Sequence, residues 1–112
     1  MSDTLPIRRL AQALSLFRDL DPEIPAQQVL CFLLIAAADK EDIHMRDLQS
    51  AMGIASSSTT RNVQALSEQH RLGKPGLDLV ETYEDSADRR YKRVRLKPKG
   101  RTLMMRLKQI AE

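Results

Sequence analysis

The chain has 112 residues, 42% hydrophobic and 29% charged, with 18 Lys+Arg against 15 Asp+Glu and a formal net charge of +3. That size suits one domain, 1–112, around a single modest core, and the longest apolar run, 29–38, is too short to cross a bilayer. The single cysteine, Cys31, excludes an intrachain disulfide framework and a cysteine-based zinc cluster. Its place inside the apolar run marks it as a small buried hydrophobe rather than a redox sensor. The opening MSDTLPIRRL lacks signal-peptide architecture, so a cytoplasmic location is expected.

Residues 5–20 place Ile7, Leu10, Leu14 and Phe17 on one helical face, widened by Ala13, Leu16 and Leu20, while Arg8, Arg9, Gln12 and Asp19 fall elsewhere. Thr4 and Pro6 open this amphipathic helix. DPEIP at 21–25 breaks it, because each proline disfavours helical geometry at the residue before it. Pro25 starts a second helix, 25–38, which is apolar almost all round and is therefore expected to be the central core element.

Residues 44–68 carry a helix-turn-helix pattern. Leu48, Ala51 and Met52 make an apolar face on a short helix that His44 enters, Gly53 permits a tight turn, and Ile54 anchors it. Ile54, Thr59, Val63 and Leu66 then follow in helical phase behind a cluster of hydroxyls, Ser56, Ser57, Ser58, Thr59 and Thr60. Removing the inward positions leaves Ser57, Ser58, Thr60, Arg61 and Gln64 facing out. These are the side chains that suit a major groove: Arg forks to guanine, Gln pairs with adenine, and Ser or Thr serve base or phosphate.

Gly73, Pro75 and Gly76 mark turns in the next loop. A hairpin, 79–97, follows, with strands over 79–83 and 91–96 and a polar tip at 85–88. Val94 and Leu96 lie on one face of the return strand and Arg93 and Arg95 on the other. Pro98 allows a last helix, 98–111, with Leu103, Met104, Leu107 and Ile110 inward and Arg101, Arg106 and Lys108 outward. The fold class expected is mainly α with a small β-hairpin wing.

Charge is distributed unevenly. Residues 1–87 hold 8 Lys+Arg and 13 Asp+Glu, a net of −5, whereas 88–112 hold 10 and 2, a net of +8. Counterion release rewards clustered Lys and Arg, so the hairpin is an electrostatic footprint for a polyanion.

In this order, the helices, the MGIASSSTTRNVQAL segment, the GLDLV entry to the hairpin, the DRR of Asp88, Arg89 and Arg90, and the closing LKPKG resemble the MarR family of winged helix-turn-helix transcription regulators. The resemblance covers about 24–107. It implies that Arg89 and Arg90 reach the minor groove, with Asp88 structural and Lys92 beside them. Several positions depart from the family pattern. Lys97 stands where a capping Thr is usual. Ala55 takes a position often held by Ser or Thr, which leaves Ser56 as the expected cap. Asn62 occupies a usually apolar site, as either a base contact or a partly buried polar group, and the loop 68–77 is long. The family continues past the wing with long helices that build its dimer, whereas only the stretch to Glu112 follows here.

The two terminal helices either cover the core of one chain or pack against a second copy. A homodimer is favoured, since a two-fold axis would set two recognition helices on a palindromic site. Family members often respond to small aromatic or phenolic ligands, but no residue here identifies an effector pocket. The expected function is a sequence-specific double-stranded DNA-binding transcription regulator, a repressor in the first instance. The alternative is a winged-helix adaptor, antirepressor or replication/partition protein. His44 and His70 lack a metal-ligand spacing, and there is no phosphate loop or nucleophile elbow. An enzyme is therefore not expected, nor a cofactor or metal.

Overall fold

A computed structural model describes residues 3–38, 42–68 and 75–112. The chain runs through α1 (Leu5–Leu20), α2 (Ala26–Ala37), β1 (Asp42–His44), α3 (Met45–Met52), α4 (Ser56–Leu66), β2 (Val80–Glu84), β3 (Lys92–Leu96) and α5 (Pro98–Ala111). The strands form one antiparallel sheet in the order β1-β3-β2. The architecture is a winged helix-turn-helix: α3, the Gly53 turn and α4 are followed by the β2–β3 wing.

The third strand, β1, is an addition to the sequence reading. Three residues are too few for alternation to show, and the strand exists because β3 supplies its partners, with Ile43 opposite Val94 and His44 opposite Arg93. It stitches the entry of the helix-turn-helix to the wing. His44 then ends the strand and caps α3, its Nδ1 accepting the Arg46 backbone N–H at 3.1 Å.

Packing follows the apolar positions closely in the middle of the chain. Phe32, Ile35 and Cys31 of α2 are fully buried among Leu48, Val63, Leu66, Leu79, Val94, Leu96 and Leu103. Phe17 meets Phe32 edge to face at 5.6 Å between ring centroids. Burial pushes the Cys31 thiol up to about 12, so it is neutral and packs as a small hydrophobe. Ala51 proves exposed, so Leu48 and the half-buried Met52 carry the inward face of α3. The largest departure lies in α1, where the periodic stripe is buried only at Phe17. Ile7, Leu10 and Leu14 remain 65%, 62% and 52% exposed.

Helix α4 and the wing are one unit. The last carbonyls of α4 would be orphaned, and the wing entry satisfies them: Leu77 N–H donates to the Ala65 carbonyl at 3.1 Å and Leu79 N–H to Leu66 at 2.8 Å. Just beyond α4, the Ser67 carbonyl accepts from Asp78 N–H at 3.1 Å. On the far side Lys97 N–H donates to the Leu79 carbonyl, and Gly100 of α5 passes so close to that carbonyl that any side chain there would collide with it. The stretch 69–74, most of the long loop noted in the sequence, lies outside the described residues.

Candidate nucleic-acid interface

The first turn of α4 is built without a side-chain cap. Ala55 is the N-cap residue and Ser56 the first helical one, so the expected transfer of capping to Ser56 does not occur. Thr59 faces inward, its Oγ1 donating to the Ala55 carbonyl at 3.1 Å, which satisfies a buried hydroxyl locally. Asn62 is also buried. Its Nδ2 donates to Gln27 Oε1 of α2 at 3.1 Å and to the Ser58 carbonyl at 2.9 Å, so of the two alternatives it is the buried polar group.

The remaining side of α4 is polar and open. Ser57, Thr60 and Arg61 are exposed, and Gln64 is half-buried on the same face. Ser58 is half-buried and partly occupied, since its hydroxyl accepts from Arg61 Nη2 at 3.2 Å. That bond lays the Arg61 guanidinium back along the helix face beside Ser57 and Ser58.

At the wing tip Asp88 grips Arg90 through both oxygens, with Nε to Oδ1 at 3.0 Å and Nη2 to Oδ2 at 2.7 Å, and also accepts the Arg90 backbone N–H. This fork holds the Asp88 carboxyl below its ordinary value and the Arg90 guanidinium above its own. Asp85 closes the tip by accepting Ala87 N–H at 2.8 Å; that bond, with Arg93 adding to it, lowers the Asp85 carboxyl too. Arg89 and Lys92 are exposed, and neither side chain makes a hydrogen bond or ion pair among the described residues.

The other wing cations are spoken for, which corrects the picture of an open basic hairpin. Arg93 Nε pairs with Asp42 Oδ1 of β1 at 2.9 Å, and its Nη1 lies 3.5 Å from Asp85. The Tyr83 hydroxyl donates to the same Asp42 carboxylate; burial first, and then this bond, raise the phenol above its ordinary value. Arg95 pairs with Glu81 at 2.9 Å and lies over the Tyr83 ring, and Lys97 pairs with Asp78 at 2.6 Å. The acids responsible are drawn from the net-negative part of the chain. Within the wing, unpaired positive charge is thereby left to Arg89 and Lys92 at the tip, with the Asp88-bound, largely exposed Arg90 guanidinium beside them.

Tyr91, read in the sequence only as a strand end, is the hub of this corner. Its ring lies 5.3 Å from His44, 5.1 Å from the Arg46 guanidinium and 5.6 Å from that of Arg90. An aromatic between basic residues, RRYKR, is the signal that could have drawn attention to it. Among the described residues no group of His, Cys, Asp and Glu is placed to hold a metal, and no helix is long and apolar enough to cross a membrane.

No family model matches the sequence, and no curated protein matches it. Solved structures do. A DNA complex of Staphylococcus aureus MepR superposes with a TM-score of 0.67 at 18% identity, over 92% of this chain and 73% of that one. AbsC, a MarR family transcriptional regulator from Streptomyces coelicolor, gives a TM-score of 0.64 at 17% identity, over 97% and 74%. The fold is MarR-like. Bordetella bronchiseptica BpsR, whose structure addresses regulation of its DNA binding by 6-hydroxynicotinic acid, matches at 24% identity with a TM-score of 0.56, over 93% and 73%. With identities this low the likeness is one of architecture, and the MarR-like frame is what sets α4 and the wing tip side by side.

Proposed function

We propose that the protein is a sequence-specific double-stranded DNA-binding transcription regulator of MarR-like design, acting as a repressor by occupying its site. In this reading α4 enters the major groove. Arg61 and Gln64 face base edges, while Ser57, Ser58 and Thr60 face bases or phosphates. The wing tip enters the adjacent minor groove through Arg89, Arg90 and Lys92. Asp88 fixes the orientation of Arg90 there, and an arginine in a narrow minor groove responds to shape as well as charge. The observation that carries the reading is the pairing of an open polar face on α4 with a wing tip where Arg89 and Lys92 stand exposed and without an acidic partner among the described residues. The solved DNA complex of MepR, on the same fold, supports it.

A homodimer belongs to this reading, with the exposed Ile7, Leu10 and Leu14 of α1 meeting a second copy. The test is selection of bound sequences from random duplex DNA at near-physiological salt, with Arg61→Ala alongside. An enriched palindrome that loses one position in the variant is expected. The second reading, a winged-helix adaptor that binds a protein partner, draws on the internal pairing of Arg93, Arg95 and Lys97, which withdraws three wing cations from phosphate. Weak salt-sensitive binding without any enriched motif would favour that adaptor.

A further inference from the structure

Between the first turn of α4 and the tip of the wing lies a cleft of about 300 Å³. Its floor is α3, through Arg46 and Gln49; Ser56 and Thr60 form one wall and Tyr91 the other. No carboxylate lines it. The Arg46 guanidinium makes no hydrogen bond or ion pair among the described residues; it rests on the Tyr91 face, 5.1 Å from the centroid. Asp88, the acid that bears on Arg46 electrostatically, has both oxygens taken by Arg90. An arginine stacked in this way keeps its N–H edge available while losing its freedom to swing.

A duplex that takes α4 into its major groove and the wing into the neighbouring minor groove must lay the strand dividing those grooves between the two elements. That path is the cleft. We propose that the cleft is a clamp for the sugar–phosphate backbone, in which Arg46 contacts a phosphate and Tyr91 is the positioning residue, its ring packed against both Arg46 and Arg90. The proposal rests on the DNA reading above and extends it to α3. Hydroxyls of Ser56 and Thr60 on the opposite wall complete a surface of donors facing one polyanionic strand.

The test is the salt dependence of binding to a mixed-sequence duplex, followed by fluorescence anisotropy, for the unsubstituted protein, Arg46→Ala, Tyr91→Leu and Tyr91→Phe. Arg46→Ala is expected to lower the slope of log Kd against log salt by about 0.9, the signature of one phosphate contact. It should also weaken low-salt binding about fivefold. Tyr91→Leu changes no charge and is nonetheless expected to lower the slope, whereas Tyr91→Phe, which keeps the ring face, retains it. Thermal melting of each variant separates these effects from loss of fold, and Arg46, being exposed, carries the test should Tyr91→Leu not fold. An unchanged slope in Arg46→Ala, with salt-dependent binding by the parent, overturns the clamp and leaves the DNA reading standing. Loss of slope in Arg46→Ala but not in a folded Tyr91→Leu overturns the role of Tyr91. Absence of salt-dependent binding by the parent removes both readings.

Discussion

Asn62 shows how a single buried donor divides structure from recognition on one helix. It sits one residue after Arg61, yet the helical turn of about 100° carries it onto the inward side, where it joins α4 to Gln27 of α2. Truncation to alanine removes the bonds to Gln27 and to the Ser58 carbonyl, so Asn62→Ala is expected to cost about 1 kcal/mol in urea unfolding. The sequences selected by the variant should match those of the parent, because the side chain is only 8% exposed. A change in base preference without a loss of stability would put Asn62 back among the DNA contacts. Thr59 belongs to the same inward set, and its phase with Val63 and Leu66 was legible in the sequence. The Asn62 partner was not, because Gln27 lies 35 residues away and no local pattern links the two.

At the scale of elements, the helix-turn-helix was readable because each part has a local cause. Gly53 adopts the left-handed φ of 68° that a tight turn requires, and hydroxyls cluster where a helix begins. The wing was readable as a hairpin but not as a neutralised one, since Arg93 finds Asp42 across 51 residues and a strand too short to announce itself. Its ion pairs predict a pH response. The Asp85 and Asp88 carboxyls are both held below their ordinary value of 3.8, so the folded state binds fewer protons than the unfolded state just under that value. Their contribution is complete above the ordinary value and is lost as pH falls through the depressed folded values. Amide protection factors in β2 and β3, referred to the intrinsic exchange rate at each pH, should therefore fall on acidification to about pH 3, ahead of those in α2. Asp85→Asn should make the wing exchange faster at neutral pH and flatten that acid dependence. A protection factor at the wing that is indifferent to pH in the parent would mean that these carboxylates do not hold it.

On the scale of the whole molecule, the stripe of α1 is left without a partner among the described residues. The helix carrying Ile7, Leu10 and Leu14 was expected either to cover the core or to meet a second copy, and their exposure excludes the first course for this half of it among the described residues. Leu30 and Leu33 of α2 are also exposed, 44% and 42%, and with Leu14 they line a shared groove, so the apolar surface continues from one helix to the next. A proposed two-fold pairing through this surface would bury it and set two α4 helices on half-sites about one DNA turn apart. Leu10→Lys should then shift the sedimentation coefficient to that of a monomer and weaken binding to a palindromic site far more than to a single half-site. Because Leu10 is not part of the core, the thermal midpoint of the resulting monomer should not fall below that of the parent diluted to its monomeric range. Unaltered sedimentation in Leu10→Lys, with the parent dimeric, would move the interface elsewhere. A parent that is monomeric at every accessible concentration would leave each copy to read DNA through one α4 and one wing, with correspondingly shallow salt dependence.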